Sequence, residues 1–241
     1  MKYLMFSECW WQFLLLALGA YLFGNINFAI MISKLKRKDI RNQGSGNPGT
    51  LNMSRTFGAK IGLMTLGLDI LKGAVPTLVA FLLYKNYYFA GSAFVVADVM
   101  KAVAGVCVIL GHIFPVFFKF KGGKGVASTI GVYMVSSPLF SIVFVLVAVT
   151  FVYFTELGSV GSFIAITPPA ILYAVRLIVA YGTYNAPLWA LIVAYACVAL
   201  SMVLVYGAHH QNLYRLFHGQ EHPTSIKAML KKKPKEESEN K

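Results

Sequence analysis

The segment Gly44-Ser45-Gly46-Asn47-Pro48-Gly49-Thr50-Leu51-Asn52-Met53-Ser54-Arg55 gathers what an oxyanion needs. Gly44, Gly46 and Gly49 admit positive φ, so successive backbone N–H groups can converge on one point. Ser45 adds a hydroxyl donor, Asn47 and Asn52 add amide donors, and Arg55 adds a planar cation matched to phosphate. Glycine and serine alone would fit a plain connecting loop, but two later segments share the chemistry. In Gly111-His112-Ile113-Phe114-Pro115 and Lys119 to Gly125, Lys124 lies between Gly122-Gly123 and Gly125, where the backbone can approach a ligand closely. The spacing does not fit the nucleotide-binding G-x-x-x-x-G-K-[ST] pattern. Lys124 is therefore expected to bind a ligand, whereas Lys119 and Lys121 read as charges that fix membrane topology. His209, Asn212 and Arg215 recur at i, i+3 and i+6, so one helical face can present all three. The adjacent pair His209-His210 does not turn both rings toward one metal ion on a helix.

These groups must be positioned by membrane helices. The chain has 241 residues, 57% hydrophobic and only 13% charged, where soluble domains carry about a quarter charged residues. Lys and Arg number 22 against 9 Asp and Glu, but the basic residues cluster between apolar runs, a positive-inside pattern and not a nucleic-acid face. Cys9, Cys107 and Cys197 are too few and too scattered for a disulfide framework or a metal site. No metal or cofactor is expected.

A spanning helix needs ~20 mostly apolar residues. Stretches 10–32, 61–83, 91–114, 139–154, 160–180 and 187–206 meet or approach this, and a shorter run, 126–136, ends at Ser136-Ser137-Pro138. The reading is an all-α integral membrane protein of about seven helices. Lys34, Lys36, Arg37, Lys38 and Arg41 put the end of the first span in the cytoplasm, so parity sets the N-terminus outside and the C-terminus inside. Arg176 is the one charge that opposes this orientation. All three polar segments then share the cytoplasmic side. Asp69 with Lys72, and Asp98 with Lys101, stand three apart and can pair within the membrane. Residues 1–223 read as one transmembrane domain and 224–241 as a solvated tail.

Taken in order, the three segments resemble the bacterial acyl-phosphate:glycerol-3-phosphate acyltransferase family. The first motif corresponds to Gly44 through Asn52 and Arg55, and the second to Gly111 through Pro115 with Lys121 through Ala127. The third corresponds to His209-x-x-Asn212-x-x-Arg215 with Gly219 and Glu221. The similarity extends through Leu68 to Gly73 and covers nearly the whole chain except the tail. It departs at Thr50-Leu51, where Ala-Thr is usual, and at His210-Gln211, where Arg-Glu is usual.

The resemblance implies transfer of a fatty acyl group from acyl phosphate to the 1-hydroxyl of glycerol 3-phosphate, the first step of phospholipid synthesis. Ser45, Arg55, Lys124, His209 and Asn212 would hold the catalytic positions. Gly44, Gly46, Asn47, Gly49, Asn52, Gly122, Gly123, Gly125 and Arg215 would bind substrate, and Glu221 would be structural. The expected location is a bacterial plasma membrane with the active site facing the cytoplasm. The expected partners are the two substrates, membrane lipid and an upstream enzyme that makes acyl phosphate, with no nucleic acid. His209 remains open between general base and phosphate binder. The rival readings are a transporter for a phosphorylated solute and an acyltransferase using acyl-CoA or acyl carrier protein. The His-x₄-Asp pair of many soluble glycerolipid acyltransferases is absent.

Overall fold

The structure is a computed structural model and describes residues 2–231. Among the described residues, six helical spans are long and apolar enough to cross a membrane, and α6 (Val126–Ser136) is an additional short apolar helix. The first span is broken. Helix α1 (Phe6–Gly24) stops at Asn25-Ile26-Asn27, and α2 (Phe28–Leu35) restarts with the Asn27 side chain accepting from Ile30 N–H at 3.1 Å. An amide side chain that satisfies a helix N-terminus competes with continuation of the helix before it. The Ile26 carbonyl left over at this break becomes an acceptor for Lys72, at 2.8 Å.

Helices α4 (Ala59–Tyr84) and α6 pack backbone to backbone. A Cβ at Gly73 would stand 1.9 Å from the Ser128 carbonyl, and one at Gly131 would stand 2.0 Å from the Ile70 carbonyl. Gly24 and Gly111 do the same between α1 and α5 (Val96–Ile113), with 2.3 and 2.2 Å to the facing carbonyls. Lipid gives no hydrophobic drive for helices to associate, so close packing at small residues supplies it. Helix α6 ends because Ser137 precedes Pro138, which opens α7 (Pro138–Thr155) and disfavours helical geometry in the residue before it. Helices α8 (Gly158–Tyr184) and α9 (Leu188–Ala208) complete the bundle.

Both predicted intramembrane pairs form. Lys72 lies 3.0 Å from Asp69, and Lys101 lies 2.9 Å from Asp98. Arg176 joins the second pair, 2.8 Å from the same Asp98 oxygen, and its other nitrogen donates to the Ser136 carbonyl at 3.3 Å. Its charge therefore neutralises a buried carboxylate and caps α6, which accounts for its place away from the other basic residues.

One feature departs from an all-helical reading. Lys2–Leu4 (β1) pairs in parallel with Tyr87–Phe89 (β2), which follows α4, and the next loop binds the end of α8 through Ala93 N–H to the Tyr184 carbonyl at 3.1 Å. This ties one end of the bundle together. The three polar segments lie at the other end. There, Thr224 is buried, with its N–H donating to the Glu156 carbonyl at 2.7 Å, and α11 (Ile226–Lys231) follows with Lys227 over the Tyr153 ring. The packed body thus continues past the boundary at 224 read from the sequence. Residues 232–241 of that tail lie outside the described residues.

Candidate active site

The first polar segment is a turn that feeds α3 (Thr50–Phe57). Gly44 and Gly46 do adopt left-handed backbone, at φ 55° and 71°. Beneath them Asn52 is buried, and its amide donates to the Gln43 and Ile40 carbonyls at 2.9 and 3.3 Å and accepts from Ser45 N–H at 3.2 Å. Asn52 therefore spends its polar atoms on the shape of the loop. A Cβ at Gly44 would fall 2.3 Å from that amide oxygen. Ser45 is exposed at the tip and Asn47 is half-buried. Helix α3 starts at Gly49 with no side-chain cap, leaving its first N–H groups open to an anion.

The second segment folds back beside the first. The Gly122 and Gly123 N–H groups donate to the Ile113 and His112 carbonyls at 3.2 Å each, and a Cβ on Gly123 would sit 3.0 Å from the Pro48 carbonyl. Gly125, at φ 84°, opens α6, again without a side-chain cap. Two uncapped helix starts thus accompany the glycine loops, and their partial positive charges favour bound anions. Lys119 and Lys121 are exposed and form no ion pair among the described residues.

The third segment supplies α10 (His210–Phe217). The Lys124 ammonium donates to Asn212 Oδ1, and Asn212 Nδ2 donates to Glu221 Oε1 at 2.9 Å. Glu221 Oε2 lies 3.9 Å from Arg215 Nε, whose N–H is buried without a hydrogen-bond partner. Burial, then the neighbouring Arg215, holds the Lys124 ammonium below the usual lysine range; Glu221 opposes this and Arg55 adds to it. Arg55 is exposed, and its Nη2 donates to Thr224 Oγ1 at 3.2 Å and the Pro223 carbonyl at 3.4 Å.

His209 stands between α9 and α10, buried, with its ring edge-on to Phe163 at 5.2 Å between centroids. Its Nδ1 is 2.8 Å from the Val205 carbonyl, which can only accept, so Nδ1 carries the proton and Nε2 offers a lone pair when the ring is neutral. Burial, aided by Lys124 and opposed by the Val205 bond and Glu221, lowers its pKa to about 4. The imidazole is therefore neutral near pH 7.

The structure thus brings together Arg55, Lys124, Asn212, Arg215 and Glu221, with His209 beside them and the Ser45 loop against Gly123. It places Asn52 under the loop. Sequence reasoning did not reach Pro223 and Thr224, which hold Arg55 from 168 and 169 residues away with no motif to mark them. Nor did it assign a role to His112, although that residue lies within the second motif. Among the described residues no group of three His, Cys, Asp or Glu side chains is arranged to hold a metal ion.

A family model described as glycerol-3-phosphate acyltransferase matches residues 14–219. A glycerol-3-phosphate acyltransferase of Mycoplasmopsis pulmonis is 39% identical over 211 residues, covering 85% of this chain and 89% of that one. One from Aquifex aeolicus is 35% identical over 214 residues, covering 87% and 97%. The crystal structure of PlsY, an integral membrane glycerol 3-phosphate acyltransferase, is similar in its glycerol 3-phosphate form with a TM-score of 0.69 and 34% identity, covering 92% of this chain and 100% of that one. Its lysophosphatidic acid form gives 0.67 and 33%, with 91% and 98% coverage.

Proposed function

Since this chain belongs to the glycerol-3-phosphate acyltransferase family, we propose that Ser45, Arg55, Lys124, His209 and Asn212 carry the family's reaction in it. The protein is a multi-pass membrane enzyme that acylates glycerol 3-phosphate to lysophosphatidic acid. The acyl donor is acyl phosphate, the accepting oxygen is the 1-hydroxyl, and the active site faces the cytoplasm. The weight of basic residues at that end of the bundle supports this orientation.

The observation that carries the residue assignment is the convergence of Arg55, Lys124 and Asn212 from three separate polar segments. Each substrate brings a phosphate, and bringing two dianions together is costly without cations. Arg55 and Lys124 screen that repulsion, while the α3 and α6 N-termini and the Ser45 loop offer backbone donors. The hydroxyl oxygen attacks the acyl carbonyl carbon, the bond from that carbon to the phosphate oxygen breaks, and inorganic phosphate leaves. An acyl phosphate is an activated anhydride, so no covalent enzyme intermediate is needed. Donors fixed around the developing oxyanion supply ~3 kcal/mol each, and holding the reactants in place supplies ~7–11 kcal/mol.

The hydroxyl proton passes to a substrate phosphate oxygen. Neutral His209, with its lone pair at Nε2, orients glycerol 3-phosphate by accepting from its 2-hydroxyl, which leaves the 1-hydroxyl proton to the phosphate. The test uses purified protein in lipid, with glycerol 3-phosphate and either acyl phosphate or acyl-CoA. Lysophosphatidic acid and inorganic phosphate formed from acyl phosphate alone, and lost in Arg55→Ala, is the expected result. Product from acyl-CoA alone overturns the donor assignment.

A further inference from the structure

A buried polar cluster lies directly behind the second polar segment. The Lys72 ammonium, fully enclosed, pairs with the Asp69 carboxylate at 3.0 Å and donates to the Ile26 carbonyl and to His112 Nδ1, each at 2.8 Å. An ammonium can only donate, so His112 Nδ1 accepts and the ring proton resides on Nε2. Nε2 abuts the glycine turn, since a Cβ on Gly123 would fall 2.3 Å from it. The His112 carbonyl also accepts from Gly123 N–H, and the next carbonyl, of Ile113, accepts from Gly122 N–H, both at 3.2 Å. The end of α5 therefore grips the turn on its backbone and backs it with a ring. That ring is locked in tautomer and orientation by a lysine on a different helix.

We propose that Lys72 and His112 are positioning residues for acyl transfer: Lys72 fixes the His112 ring, and His112 fixes the Gly122-Gly123 turn from which Lys124 projects. The Asp69 carboxylate serves as the counter-ion of Lys72 within the span. Gly123 is flanked by this ring and by the Pro48 carbonyl of the first glycine loop, so the ring's position bears on the spacing of both loops. This rests on the reading that Lys124 binds a substrate phosphate.

The competing account is that Asp69 and Lys72 only hold α4, α5 and the α1–α2 break together. Removing one partner of a buried pair strands a charge, whereas removing both with shape retained is often neutral for stability. The test is therefore Asp69→Asn/Lys72→Met in the purified, lipid-reconstituted enzyme. The variant is expected to remain monodisperse and melt near wild type. Its kcat/KM falls about 100-fold, the scale of a misplaced reacting group, and KM rises for both phosphate-bearing substrates. His112→Ala then costs less in that background than in wild type, because the two changes break one chain of contacts. Three results overturn the proposal: kcat/KM within about threefold of wild type, a loss of kcat alone that tracks unfolded protein, or a double variant that does not fold. Lys124→Ala, run alongside, separates the two levels. Retained activity there overturns the reading of the loop and this inference with it. Loss there with full activity in the double variant overturns the inference alone.

Discussion

Arg55 is held by Thr224: its Nη2 donates to the threonine hydroxyl at 3.2 Å and to the adjoining Pro223 carbonyl at 3.4 Å. An exposed arginine loses much rotamer freedom when it is ordered, and this bond meets part of that cost before substrate arrives. Arg55→Ala is expected to lower kcat/KM by 100-fold or more, a loss of roughly 3 kcal/mol. Thr224→Val removes only the hydroxyl, so a several-fold rise in KM with kcat nearly unchanged is expected. Steady-state kinetics on both variants checks the pair.

Glu221 tunes Lys124 through Asn212. Its carboxylate raises the Lys124 pKa against burial, Arg215 and Arg55, which lower it. Glu221→Gln can still accept from Asn212 Nδ2 but has no charge. The Lys124 pKa should therefore fall further, moving the alkaline limb of kcat/KM toward lower pH. A pH profile of the variant beside wild type reads this shift, and an unmoved limb would remove Lys124 from the alkaline titration.

His209 has its pKa depressed to about 4 from 6.5. In the unfolded chain it takes up a proton through pH 6.5, whereas in the folded chain it does so only near 4. Stability is therefore unaffected by this residue above about 6.5 and is lost as pH falls toward 4. His209→Gln should flatten that part of the melting-temperature profile. In the same variant, a higher KM for glycerol 3-phosphate with an unshifted pH–kcat profile is expected if a substrate phosphate takes the proton. A collapse of kcat with a displaced profile would instead make His209 the base.

Two glycines of α4 separate packing from propensity. A Cβ at Gly67 would meet nothing within 4 Å, and one at Gly73 would meet the Ser128 carbonyl at 1.9 Å. Gly67→Ala should be neutral or stabilising by up to about 1 kcal/mol. Gly73→Ala forces α6 away from α4, so a large drop in melting temperature and loss of activity are expected, since α6 carries the turn behind Lys124. Thermal unfolding in detergent compares them directly.

Much of this arrangement was legible in the residues. Apolar run lengths located the spans, and i, i+3 spacing anticipated the Asp69–Lys72 and Asp98–Lys101 pairs. Glycine with cationic and amide donors singled out the three polar segments. What escaped reading was direction. Asn52 and Asn212 are the same side chain in similar company, yet one turns under its loop and the other reaches Lys124. Nothing in a sequence separates an amide that ties backbone from one that joins charged side chains. Arg176 looked misplaced because its partner, Asp98, lies 78 residues away. The β1–β2 pair joins three-residue segments too short to declare a period.

That strand pair ties the end of the molecule opposite the polar segments. Leu4 and Phe89 are register partners there, and the loop beyond binds the end of α8. The polar segments stand at the opposite end, so under the proposed reaction both phosphate-bearing reactants and the released phosphate share one set of cations there. Inorganic phosphate is therefore expected to compete with glycerol 3-phosphate, and a rise in the KM for that substrate with added phosphate checks this.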